Sequence, residues 1–254
     1  MLDITPGIVT RIHLNRPEVR NAFNDKLISE LASAFSQVPA EARAVIISGE
    51  GSAFCAGGDL EWMRKAAEYS HEENQRDALK LARLFRSITE CKAVTIARVI
   101  GPAFGGGCGL VAAADIAIAS EDAKFAFSEV KLGLIPATIS PFVVSKIGAG
   151  HARALFATGE PFSADHALRI GLVHEVVPSE EVDAAIGRKL KHILAAGPEA
   201  VAEAKKLVRD HPLSLDEASR RLADARAGRE GKEGVAAFLE KRKAKFVVEP
   251  EGQA

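Results

Sequence analysis

Two short apolar runs in this chain each stop at a cluster of glycines. AVIISG (44–49) leads through a turn into FCAGGDL (54–60), and AVTIARVIG (93–101) leads into GPAFGGGCGL (101–110). A short apolar run bounded by turn residues reads as a buried strand, and the stretches that follow both loops read as helices. Strand, glycine loop, helix and strand therefore recur, which predicts an α/β fold with right-handed crossovers. Glycines placed between a strand end and a helix start leave backbone N–H groups open, and the helix dipole adds positive potential there. Two such loops brought together can aim two donors at one developing negative oxygen, the arrangement of an oxyanion hole. Each loop taken alone reads more readily as a tight turn with close helix packing.

The rest of the chain fits this layout. GIVTRIHL (7–14) puts Ile8, Thr10, Ile12 and Leu14 on one face of a strand. RPEVRNAF then turns into a helix from near Asn24, with Leu27, Leu31 and Phe35 at helical spacing. Residues 61–90 read as one polar helical stretch. From about residue 142 the signals are helical, with Ser163 as an N-cap and Pro198 in a first turn. The segment 214–245 is charged and amphipathic, with too few apolar positions for a core of its own. It is expected to dock on the main body or on a neighbouring subunit, and the last nine residues are expected to fray. The division expected is a core over 1–195 and a helical region over 196–254 for assembly and ligand contact.

Composition excludes several classes. Of 254 residues, 47% are hydrophobic and 26% charged, a globular balance. Lysine and arginine (33) nearly cancel aspartate and glutamate (34), so no net field draws the chain to nucleic acid or an anionic membrane. Cys55, Cys91 and Cys108 lack paired spacing, which suits free thiols in a reducing compartment and predicts neither a disulfide framework nor a metal site. The start, MLDITPGIVTRIHL, lacks a basic region followed by an apolar one, and glycines and Asp115 interrupt the apolar stretch at 101–119. A water-soluble, cytoplasmic protein is expected. Leu110 breaks G-x-G-x-x-G, and neither G-x-x-x-x-G-K-[ST] nor G-x-S-x-G is present, so nucleotide cradles and a nucleophile elbow are not supported. Cys108 reads as a small packing residue.

The strings FCAGGDL and GPAFGGGCGL…AAADIAIA…AKFAFSEVKLGLIP resemble the two signature regions of the crotonase (enoyl-CoA hydratase/isomerase) superfamily. LNRPEVRNAF near the start and EGVAAFLEKRKAKF near the end resemble its terminal patterns, so the likeness runs from about residue 4 to 246. It implies a spiral of ββα units followed by a C-terminal helical region, assembled as a homotrimer or dimer of trimers. It implies that the N–H groups of Gly58 and Gly106 hold a thioester carbonyl. Val19, Arg20, Ala22, Ala56, Asp59 and Leu60 match positions along a coenzyme A channel. Phe238 and Lys241 match positions that reach coenzyme A, often from an adjacent subunit, although Lys241 with Arg242 and Lys243 reads equally as a solvated basic face. Coenzyme A enters as part of the substrate, and no separate cofactor is implied.

Hydratases of this family pair two glutamates as general base and acid. One of the two positions is occupied here by Gly109 and the other by Glu129, in FAFSEVKLG. Glu129 lies among Phe125, Phe127, Val130 and Leu132, surroundings that can raise its pKa, although pairing with Lys131 or Arg98 is an alternative. The fuller pattern, GGDLEWMRK with GLIPATISPFVVSKIG, is most similar to bacterial methylglutaconyl-CoA hydratases and related branched glutaconyl-CoA hydratases. The function implied is water addition to, or removal from, a branched, carboxylated enoyl-CoA. An enoyl-CoA isomerase using one glutamate is the second reading, and a non-catalytic protein binding coenzyme A or RNA the third. Gly109 would leave room beside the acyl chain, and Thr138, Ser140 and Lys146 are candidates to meet a distal carboxylate.

Overall fold

The computed structural model describes residues 1–249 of the chain. Leu2–Thr5 (β1) runs antiparallel to Val9–Leu14 (β2), where Thr10, Ile12 and Leu14 alternate inward as expected. Asn24 caps Asp25–Ser36 (α1) by accepting the Leu27 N–H at 2.9 Å, and Leu27, Ile28, Leu31 and Phe35 make its buried stripe. Ala44–Gly49 (β3) then lies parallel to β2, with Ile12 opposite Ile47. The polar stretch after the first glycine loop is two helices, Leu60–Ala66 (α2) and His71–Glu90 (α3). Ser70 and Glu73 form a capping box that starts the second one afresh.

Val94–Val99 (β4) is followed by Ala103–Phe104 (β5), Gly106–Ala113 (α4), Ile116–Ser120 (β6) and Lys124–Ala126 (β7). Ser140–Thr158 (α5) is broken at Gly148; Phe162–Ser163 (β8), Ala164–Arg169 (α6) and Glu175–Val177 (β9) come next. Ser163 caps α6 as expected. The large sheet has the order β1-β2-β3-β4-β6-β9, and a small one the order β5-β7-β8. After each long strand the chain makes a short second pairing before its helix: Phe23 with Gly58, Cys55 with Ala103, β5 with β7. That repetition is the ββα spiral, and it lines up the segments after successive strands. Val45, Ile46, Ile47, Ile96, Val99 and Ile118 are buried in the core.

The described chain divides into two compact units, Met1–Cys91 with Thr95–Ile186, and Lys92–Val94 with the chain from Gly187 onward. The boundary falls inside Val182–Ala195 (α7). The second unit continues with Pro198–Arg209 (α8), which has its proline in the first turn, Leu215–Ala227 (α9) and Arg229–Leu239 (α10). The charged segment over 214–245 divides at Gly228 into α9 and α10. No residue of α9 is buried, and Ala237 alone is buried in α10, as the shortage of apolar positions predicts. The fraying expected of the last nine residues does not hold through Val248, whose N–H donates to Leu194 O at 3.0 Å; residues 250–254 lie outside the described residues. Among the described residues no helix is long and apolar enough to cross a membrane.

Candidate active site

The two glycine loops meet. Segment 20–23 runs beside 56–59: Ala56 N donates to Arg20 O at 2.9 Å, Phe23 N to Gly57 O at 2.7 Å, and Asp59 N to Phe23 O at 2.8 Å. This alternation uses the Gly57 carbonyl and the Asp59 amide, so the Gly58 N–H faces away from Phe23. The second loop pairs with the first through Phe104 N, which donates to Cys55 O at 2.9 Å. Gly57 (φ 94°) and Gly105 (φ 49°) hold conformations that side chains resist, and a methyl on Gly57 would stand 3.1 Å from Phe104 O. Gly106 opens α4, and a methyl there would lie 2.7 Å from the Phe23 ring. Among the described residues nothing accepts the N–H of Gly58 or of Gly106. Two unspent donors on touching loops, one at a helix start, can receive an anionic oxygen.

Glu129 stands beside them. It sits in a 3₁₀ turn, Ser128–Leu132, closed by Gly133, and a methyl added at Gly105 would be 3.2 Å from its Oε1. Oε2 is buried and has no hydrogen-bond partner. Burial pushes the carboxyl above its usual range, opposed in part by its own backbone N–H. The alternative pairings are not made. Arg98 binds Asp183 through two bonds of 2.7 and 2.8 Å, and Lys131 is exposed. Phe127 packs edge-on against Phe156, backing the turn with apolar rings. Cys108 is a packing residue as expected: it is buried, its Sγ lies 2.8 Å from Ala103 O, and burial pushes the thiol well above its usual range.

Of the residues expected along a ligand channel, Ala22 is buried, Val19 and Ala56 are half-buried, and Arg20 and Leu60 are exposed. Asp59 is committed elsewhere. Its carboxylate binds Arg16 Nη2 at 2.9 Å and caps α2 through the Glu61 N–H. Burial alone would raise its pKa, but Arg16 and the N–H groups of α2 outweigh that and hold it below the usual range. Sequence reasoning missed Arg16 and Asn21. Arg16 also donates to Ala22 O, while the buried Asn21 accepts the Arg16 N–H and donates to Glu50 O and Ala53 O, joining three segments behind the first loop. A charged residue and an asparagine directly after an inward-alternating strand were the available signal.

The room expected at Gly109 is absent. A methyl there would be 2.5 Å from Ile139 Cγ2 and 2.7 Å from Phe85 Cζ, and its N–H is spent on Gly105 O. Gly109 lets helices pack closely and offers no anion donor. Lys146 donates to Val111 O and Ala114 O at the end of α4, and Ser140 Oγ to Ala137 O. Neither is free for a distal carboxylate; Thr138 is half-buried. In the second unit, Phe238 is 82% exposed, and the exposed Lys241 follows α10 with φ 54°.

The sequence and fold are similar to those of known proteins. Residues 5–249 match the family described as enoyl-CoA hydratase/isomerase. A crotonyl-CoA hydratase of Syntrophomonas wolfei is 36% identical over 93% of this chain and 93% of its own. The crystal structure of an enoyl-CoA hydratase from Shewanella pealeana superimposes with a TM-score of 0.91 at 38% identity, covering 96% of this chain and 95% of that one. Pseudomonas aeruginosa AtuE superimposes with a TM-score of 0.93 at 35% identity, covering 97% and 99%. With the ββα spiral, the paired glycine loops and a match over nearly its whole length, the chain belongs to the enoyl-CoA hydratase/isomerase family of crotonase-fold enzymes.

Proposed function

We propose that this enzyme adds water reversibly across the C2=C3 bond of an enoyl-CoA thioester, with Gly58 and Gly106 as oxyanion donors and Glu129 as the proton-transfer group. The observation that carries this reading is a buried, unpartnered carboxylate oxygen beside two loops whose amides lack acceptors. As water's oxygen bonds to C3, Glu129 takes its proton, and the displaced electrons collect on the thioester oxygen between the two amides. The same carboxyl then returns the proton to C2, on the same face. A raised pKa keeps the carboxyl capable of both halves near neutral pH. Glu129→Gln is expected to cut kcat by roughly 10²–10⁴ while coenzyme A thioester binding persists, measured by steady-state kinetics and calorimetry. Wild-type turnover in that variant would remove Glu129 from the reaction.

For the acyl group, the proposal is a branched, carboxylated ester of the 3-methylglutaconyl type. Its support is the likeness of GGDLEWMRK and PATISPFVVSKIG, together with a neutral residue at 109, which spares an anionic substrate a like-charge neighbour. Added room at 109 is no part of that support. The expected outcome is a higher kcat/KM for 3-methylglutaconyl-CoA than for crotonyl-CoA. The reverse preference would overturn the acyl assignment and leave the reaction class standing. A single carboxylate also suits proton transfer from C4 to C2, so an isomerase is the second reading, and identifying the product by mass spectrometry separates the two. We further propose a cytoplasmic enzyme that assembles as a trimer or pair of trimers, in which Phe238 and Lys241 reach coenzyme A.

A further inference from the structure

Lys146 on α5 is the feature that the reaction scheme does not use. Its side chain is half-buried, with the ammonium end enclosed, and it donates to two carbonyls at one end of α4: Val111 O at 3.2 Å and Ala114 O. Ala114 is the C-cap of α4, so these are among the carbonyls that a helix leaves without internal partners. The opposite end of that same short helix is Gly106. Asp115, the next residue, binds both the N–H and the Oγ1 of Thr95 on β4, at 2.7 and 2.9 Å. The C-terminal end of α4 is therefore held from two directions, by a cation on α5 and by an anchor on the sheet.

We infer that Lys146 is a positioning residue: by holding the last turn of α4 it fixes where the Gly106 N–H points. This rests on the oxyanion reading of Gly106 given above. Eight residues make a stiff rod of about 12 Å, so a tilt at one end is carried to the other. A cation at the C-terminal end also matches the helix dipole. Burial pushes the Lys146 ammonium down to about 8, opposed by Asp115, so holding it there is costly and the two carbonyls are what receive it. A lysine serving only to cover apolar surface would snorkel to water instead.

The test compares Lys146→Met and Lys146→Arg with wild type for kcat, KM and amide exchange of α4. Removing the grip is expected to lower kcat about 10-fold, with KM changed less than about two-fold, because a misaimed donor is lost mainly in the transition state. Arginine, which can meet both carbonyls, is expected to restore kcat to within about three-fold, and α4 amides in the methionine variant to exchange faster. Unchanged kcat in Lys146→Met overturns the inference, as does a parallel loss of kcat and KM that arginine does not rescue. If Lys146→Met is insoluble, Lys146→Gln decides in its place by the same criteria. An active Glu129→Gln enzyme would sink the reaction scheme instead, so the two failures are distinguishable.

Discussion

Glu129 carries an electrostatic cost of burial, for which the proposed proton transfer supplies a reason. Its folded-state pKa lies above the unfolded value because burial disfavours the anion. Between those two values the native state binds more protons than the unfolded state, so stability falls as pH rises through the window and the loss is complete above it. Glu129→Gln is therefore expected to melt no lower than wild type at pH 7–8 and to show a flatter fall in stability above pH 5, read by thermal denaturation across pH. A variant that melts markedly lower at neutral pH would show that the ionised carboxylate has a partner in solution. The apolar setting of Glu129 was legible in the sequence because FAFSEV surrounds this carboxylate with rings. Arg16, Asn21 and Asp59 were less legible. Their work is to join strands distant in sequence, and no local pattern states which carbonyls a buried guanidinium or amide will meet.

Helices and strands with strong local signals were readable: the stripe of α1, the alternation of β2 and the cap at Ser163 all follow from side-chain chemistry. The two-residue β5 and β8 were not, because so short a strand has no period and exists only through its partners. Gly109 shows the same limit inside a helix. A missing side chain reads as space, yet here Phe85 of α3 and Ile139, which caps α5, fill it. Gly109→Glu, which would supply the second carboxylate of two-glutamate hydratases, is expected to cost at least ~3 kcal/mol through overpacking and a buried charge, and to give no gain in crotonyl-CoA hydration. Urea denaturation with the crotonyl-CoA assay checks both. A stable and faster variant would mean that α3 and α5 yield more readily than close packing allows.

At the scale of the molecule, the second unit leaves apolar surface uncovered. Val208, Leu215, Phe238 and Leu239 are between 73% and 89% exposed, and the groove between α8, α9 and α10 is lined by Leu207, Leu222 and Val235. Large exposed apolar side chains in such number favour self-association. A closed ring of three or six subunits is expected by light scattering at micromolar concentration. A monomer there would contradict it. The clamp formed by Arg16, Asn21 and Asp59 bears on a different matter, the order in which the chain acquires its chemistry. The two amides proposed as oxyanion donors belong to loops reached at different times during synthesis, and each is oriented by pairings with segments that lie far away in sequence. Such contacts close large loops and form late in folding. A nascent or partly folded chain can therefore hold formed helices while the two proposed donor amides are still apart, so catalytic competence should report completion of the fold more faithfully than helical content does.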